Sequence, residues 1–532
     1  MLARLNTQTA FIPFLSTHVG SNVLRSKEED KQFVIRANYV GQPVQDRDIG
    51  IPMPTYVENV LPTVQGWQSV FFRERIPGVP GAVFDSIFNL KSGLETNIFF
   101  SPSQGAEYTN YAGQWIRSRN ISNFAGKVTS AYSKLRSFVF YQRQRIIEYD
   151  YSSRAFRFVE FDGLDVRSID GITAANNYLV AWNETSIFWS STLDPLDFVP
   201  SLSSGAGTQN PNQVRGKIVA CLPAADGFII YTTANAIFAA WSGNIRFPWN
   251  FTEIPGSSGI TSTEHVTSDA NYSAHFAWTV DGLQQVSKSG AKPLFPELTD
   301  FITGKLVEEF IGITGMQSHH NEADPSFISE AQDWYERIPG PNLLQQIKLL
   351  EDPWVKLAFV GSRYFVFSYG YKTRGIYDWA LVYDSAIERW GKLRFSHVDA
   401  FNYITQSYEP FQVKDSIGFL RVDGSIATVD FAVERKGLGV LLYGRLKEMQ
   451  ERWIQVTGVQ VQTLQHESPS IVLIPTHDGV NPEEGEVPLL VIDTANYKQW
   501  ASRISGANMN LLILGPFSIS SLQVEFNVLG TR

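Results

Sequence analysis

The chain has 532 residues, 43% of them hydrophobic, 13% aromatic and 18% charged, which excludes disorder and exceeds one core, so roughly two to four domains are expected. Its net charge of −9 argues against gripping nucleic acid through a basic surface, because phosphate affinity rests on clustered Lys and Arg, yet suits an acidic wall past which DNA slides. The single cysteine, Cys221, excludes an internal disulfide and every multi-cysteine zinc site. No apolar run approaches the roughly eighteen residues of a membrane span. Pro13 and the polar Asn6, Thr7 and Gln8 interrupt the apolar core that a signal peptide needs, so neither a spanning segment nor export is expected. The low charged fraction points to surface covered by partner chains.

Residues 1–130 are rich in Pro and Gly, with extended stretches at 32–39 and 97–100, and read as an N-terminal platform that wraps over other domains. From 131 to 440, short β-branched and aromatic runs alternate with Gly, Asn and Asp. SFVFY at 137–141, RIIEY at 145–149 and FRFVEF at 156–161 make a three-strand meander. Related units open near 178 (YLVAW), 228 (GFIIYTT), 274 (YSAHFAWTV), 364 (YFVFSYG) and 417 (IGFLRVDG). Spacings of about 40 to 50 residues are those of propeller blades, small sheets with two apolar faces that need a neighbour on each side. Neither a WD40 nor a kelch signature is present. The wide gap before 364 holds LTDFITGKLVEEFIG and SEAQDWYERIPGPNLLQQIKLL, the best helical candidates, and predicts an insertion over 300–353 that projects from the propeller. Beyond 441, runs such as WIQVTGVQVQTL, SIVLIPT and LQVEFNVLG fit a β-sandwich of about five to eight strands. Leu522, Val524, Phe526 and Val528 alternate with Gln523, Glu525 and Asn527, giving one strand a wet face. The expected fold is thus mainly β: a propeller with a projecting insertion, and a β-rich platform or sandwich formed by the N- and C-terminal regions.

Chemistry-bearing motifs are scarce. Gly216-Lys217 lacks the upstream glycine of a phosphate loop, since Pro211 stands in its place, and 256–259 (GSSG) reads as a turn rather than a nucleophile elbow. Of eight histidines only His319 and His320 cluster, with Glu322 and Asp324 behind them, and adjacent side chains point apart unless a loop bends them together. A solvated loop at the tip of the insertion accounts for them, with a bound metal or a pH-sensitive interface as the alternatives. Asp162, Asp165, Asp170, Asp226, Asp281 and Asp423 lie in turn contexts, where Asp usually bonds its own backbone, and no rule selects a glycosidase pair from them. Trp182, Trp189, Trp278 and Trp390 sit in strand runs and suit blade packing. The densest basic stretch, Arg136, Arg143, Arg145, Arg154 and Arg157, suits salt bridges or a subunit contact.

The central segment carries DPLDF at 194–198, SGAG at 204–207, GFIIYT at 227–232, WSGN at 241–244 and a closing F-x-E-I-x-G-x-x-G at 251–259. This pattern resembles the tail tubular protein B-like family, the nozzle proteins of short-tailed bacteriophages. YVENVLPT at 56–63 with Gly66, and NLLILGPFS at 510–518, echo that family's two ends. The resemblance implies a structural virion protein of the tail, six copies forming the distal tube below the portal-bound adaptor. Such a tube retains the genome and conducts DNA without sequence-specific binding, beside tail fibres or tailspikes. It implies no catalytic residue, no cofactor and no metal. Position alone makes the insertion the tip or gate, with Glu308, Glu309, His319, His320, Glu322 and Asp324 as its candidates. The alternative is a tail-associated propeller that binds or degrades carbohydrate.

Overall fold

A computed structural model describes residues 7–13, 56–63, 66–84, 86–89, 97–101, 106–111, 114–120, 126–150, 155–201, 204–269, 271–294, 316–318, 354–370, 375–387, 389–406, 413–431, 439–443, 452–463, 470–476, 487–493, 500–506 and 508–531. These are almost entirely strand, and the helical elements among them are two 3-10 turns of three residues.

Five separate four-stranded sheets and two four-stranded runs within a larger sheet make seven antiparallel blades in chain order. Blade 1 begins with Ser86–Asn89, blade 2 with Val128–Ser133, blade 3 with Gly171–Ala175 and blade 4 with Ile218–Ala224. Blade 5 begins with Val266–Ser268, blade 6 with Trp354–Val360 and blade 7 with Asp399–Gln406. These first strands touch one another in succession from blade 2 to blade 7, and that of blade 7 touches that of blade 1, so they form the inner wall. The outer strands of blades 1 and 2, Gln114–Asn120 and Ala155–Val159, also meet.

The burial pattern explains why the sequence was readable. Second strands lie between neighbouring blades and are apolar on both faces: Tyr178–Trp182 and Gly227–Thr232 are buried throughout, and Tyr364–Gly370 in all but its first residue. The outermost strand of blade 4, Trp249–Glu253, alternates with solvent instead. Clusters joining adjacent blades form the core: Ile229, Tyr231 and Phe238 of blade 4 pack with Val266, Ala277 and Val286 of blade 5.

Six of these blades contain the six predicted units, each unit lying at or near a second or third strand. Blade 1 is a correction, because residues 86–120 fall in the stretch expected to be platform, yet form a blade. Its neighbour is blade 7: the Trp115 indole donates to the Gly424 carbonyl at 2.9 Å and packs on Phe84. Trp67–Ile76 is a second propeller element from that stretch. It supplies the outermost strand of blade 7 by pairing with Ile426–Phe431, so the N-terminal region closes the ring. Arg75 fastens this joint, its Nε donating to Thr428 Oγ1 at 2.8 Å and Nη2 contacting both Asp430 oxygens at 3.1 and 3.2 Å.

The two ends of the chain build a sandwich. One sheet runs Thr7–Pro13, Ser518–Thr531, Arg452–Thr463, Trp500–Gly506, with Thr7 opposite Asn527. The other runs Tyr56–Glu58, Gly439–Tyr443, Asn508–Gly515, Ser470–Thr476, Val487–Asp493, and Met316–Ser318 adds to its edge in parallel. Sandwich and propeller share backbone pairing, Ile519 with Trp67 and Ser518 with Gln68. The helical candidates of the insertion lie outside the described residues.

Candidate ligand site at one mouth of the axial channel

In a four-stranded meander the first and third strands run one way and the second and fourth the other. The starts of the inner strands therefore gather at one end of the propeller, and the loops joining strands one to two and three to four gather at the other. The sandwich joins at this second end, since Trp67 begins a fourth strand.

The inner wall of blades 2 to 6, with Asp399 of blade 7, encloses a cavity of about 850 Å³. Small and hydroxyl side chains dominate its middle: Thr129, Ser130, Ala131, Thr173, Ala174 and Thr267. Its charged residues, Lys127, Glu264, Lys356 and Asp399, stand before or near the start of an inner strand and so ring one mouth, two of each sign. Trp354 opens the inner strand of blade 6 beside them.

These groups are tied into the fold. Lys356 Nζ lies 3.1 Å from Asp399 Oδ2, both side chains about nine-tenths buried, and also donates to the Val398 carbonyl at 3.3 Å. Asp399 Oδ1 accepts the Ala400 amide at 2.9 Å. Glu264 belongs to the 3-10 turn Thr263–His265, capped by Ser262, and its Oε2 accepts the Tyr377 hydroxyl at 3.3 Å. Burial holds the neighbouring His265 below its ordinary pKa, with Glu264 raising it and Lys127 lowering it, so residues before blades 2 and 5 act on one imidazole.

Two further histidines are buried outright. His397, at this same end, donates from Nδ1 to the Phe395 carbonyl at 2.6 Å and accepts the Ser368 hydroxyl on Nε2 at 2.8 Å. Burial pushes its pKa down to about 4, against a raising hydrogen bond from Phe395 and with help from Lys356. His275, at the opposite end, donates from Nε2 to the Pro223 carbonyl and accepts the Tyr231 hydroxyl on Nδ1, both at 2.9 Å, joining blades 4 and 5. Burial pushes its pKa, too, down to about 4. Each imidazole thus has one donor and one acceptor nitrogen satisfied and is neutral.

The predicted gate residues Glu308, Glu309, His319, His320, Glu322 and Asp324 lie outside the described residues. Among the described residues no group of His, Cys, Asp and Glu is placed to hold a metal. The turn aspartates behave in two ways. Asp165 and Asp423 accept their own downstream amides at 2.9 Å, whereas Asp170 pairs with Arg143 at 2.8 Å and Asp226 with Lys288 at 2.8 Å. The arginines of blade 2 serve ion pairs: Arg136 and Arg157 converge on buried Glu148 at 2.7 and 2.8 Å, while Arg145 stacks over Tyr141. Trp182, Trp189 and Trp390 are buried in blade cores, and Trp278 packs on Phe367. Sequence reasoning missed Lys127, Glu264, Lys356 and Asp399, whose common feature, standing at the start of a blade, appears only once the blade starts are known.

No family model and no curated protein matches the chain. Among solved structures it is similar to the β-propeller domain of Cps50 (Swd1) from Myceliophteria thermophila, at 9% identity over 68% of this chain and 100% of that one, TM-score 0.38. A streptogramin B lyase matches at 10% identity over 68% of this chain and 98% of that one, TM-score 0.39. YCF48 bound to D1 peptide matches at 10% identity over 67% and 96%, TM-score 0.35. The strand pairing itself defines the class: this is a β-propeller protein with an appended β-sandwich. No helix among the described residues is long and apolar enough to cross a membrane.

Proposed function

We propose that the protein is a structural, non-enzymatic subunit of a phage virion, the tail nozzle, six copies of which form a ring below the portal-bound adaptor and conduct DNA during ejection. The observation that carries this reading is what the nozzle-like pattern does in the fold. Two of its glycines stand where backbones meet: a Cβ on Gly227 would lie 1.9 Å from the Ala239 carbonyl, and one on Gly259 2.0 Å from that of Thr233. Its aromatics pack, Phe198 on Phe161 at 4.8 Å and Trp241 on Trp249 at 5.7 Å. The Trp189 indole donates to the Gly205 carbonyl at 2.8 Å. These members of the pattern serve blade packing, as a structural subunit requires.

A second feature supports assembly. Leu135, Leu193, Ile245 and Phe247 are 80%, 82%, 49% and 73% exposed, and all lie on loops at the sandwich end of blades 2 to 4. A closed heterologous ring requires two different complementary faces, and an apolar rim of this kind fits one of them. A cavity of about 850 Å³ is of small-molecule size, so in this reading DNA passes between copies rather than through the propeller. The cavity mouth, with two charges of each sign, gives no support to an acidic lumen there. The test is assembly: a sixfold ring with an axial opening, formed alone or on the adaptor, is expected, and a persistent monomer that ignores the adaptor would refute the reading.

A further inference from the structure

The inner strands have a property that blade packing uses only in part. Those of blades 2 to 7 each pair in the sheet on one side only, with the second strand of their own blade, so their other edge faces the axis with backbone N–H and C=O groups in alternation, although the Ile172 N–H is taken by Thr129 Oγ1 at 3.0 Å and the Ile218 N–H by the Glu184 carbonyl at 2.9 Å. The channel wall therefore offers donors and acceptors together on several strands, supplemented by the hydroxyls of Ser130, Thr173 and Thr267. At the mouth, Lys127 adds donors and Glu264 acceptors, while Lys356 and Asp399 neutralise each other, so the wall selects for no net charge. Trp354 supplies a ring at the same mouth. At about 850 Å³ the cavity lies within the range of roughly 300 to 1,000 Å³ typical of small-molecule sites.

From this geometry we propose that the charged mouth of the axial channel binds a neutral, polyhydroxylated ligand, a short oligosaccharide. Hydroxyls are the groups that both donate and accept, as this wall demands, and a sugar's C–H face stacks on an aromatic ring. A net anion would meet Glu264 and Asp399, and a net cation Lys127 and Lys356. The site binds rather than hydrolyses: Asp399 is committed to Lys356 and Glu264 to Tyr377, whereas a glycosidase needs one carboxyl kept as a proton donor beside a second kept as base or nucleophile. This site stands independently of ring assembly, so either proposal can fail alone.

The test uses the full-length chain on an array carrying neutral and charged glycans, followed by saturation-transfer NMR with maltotriose, cellotriose and chitotriose at millimolar concentration. Binding of at least one neutral oligosaccharide is expected, weakened about tenfold or more by Glu264→Gln and by Lys127→Ala, and unchanged by Leu193→Asp at the opposite end. Glu264 is exposed and Lys127 half-buried, so both variants are expected to fold, which circular dichroism checks. Absence of any neutral-glycan binding, binding restricted to charged glycans, or binding that both mouth variants leave intact would each overturn the proposal.

Discussion

The two ends of the propeller are made from the same strands and carry opposite surfaces. At one, the starts of the inner strands bring Lys127, Glu264, Lys356 and Asp399 around a cavity. At the other, the loops of blades 2 to 4 expose Leu135, Leu193, Ile245 and Phe247, and the sandwich is attached through Trp67. Blade interiors must be apolar whatever the protein binds, so they say little about its ligands. The loops and strand starts are released from that demand, and there the two ends diverge: charges gather at the cavity mouth, with Val83 and Val280 the exposed large apolar residues at that end among the described residues, while the other end carries an apolar rim.

Substitutions at one end should spare the other, and the largest effect is expected at the apolar rim. The double variant Leu193→Asp, Phe247→Asp places charge where a neighbouring copy would bury apolar surface, and native mass spectrometry should show loss of the ring while circular dichroism stays unchanged. A ring that survives would place the subunit contact elsewhere. Next comes the mouth's buried pair. Lys356→Ala leaves Asp399 without its ammonium and should cost about 3 to 5 kcal/mol in denaturant unfolding, whereas replacing exposed Lys288 should cost under about 1 kcal/mol. Equal costs for the two would show that the mouth is not held as described.

Acid should act on both ends together. His275 and His397 are held neutral with pKa pushed down to about 4 from an ordinary 6.5, so the unfolded chain takes up these protons first. Stability is then complete above pH 6.5 and falls as pH drops towards 4, by about 3 kcal/mol for each histidine. His275→Gln, which keeps a donor and an acceptor, should flatten that part of the pH profile. An unchanged slope would contradict a neutral imidazole between blades 4 and 5. The smallest expected effect is at the closing strand: Arg75→Ala removes its bonds to Thr428 and Asp430 and should cost about 1 to 2 kcal/mol, seen as earlier loss of blade 7 amide protection.

What could be read in the sequence follows the same division. Gly227–Thr232 and Tyr364–Gly370 announced themselves because a strand buried on both faces must be apolar throughout. Blade 1 was hidden because runs such as AEYTNY and QWIRSRN are polar and lie among Pro- and Gly-rich segments. Closure by Trp67–Ile76 was hidden because its partner, Ile426–Phe431, lies some 350 residues away, and no local pattern encodes so distant a pairing. The charged mouth was invisible for a related reason. Lys127, Glu264, Lys356 and Asp399 come from four blades, and each alone is an ordinary charged residue beside a strand.

The measurement that tests the proposed assembly most directly is the mass and symmetry of the 532-residue chain, by native mass spectrometry and particle imaging, alone and mixed with the adaptor ring of a short-tailed phage. The account predicts a sixfold ring whose axial opening lies between subunits, with the apolar ends of blades 2 to 4 covered by a neighbour. A stable monomer that does not engage the adaptor, its apolar rim open to solvent, would contradict it.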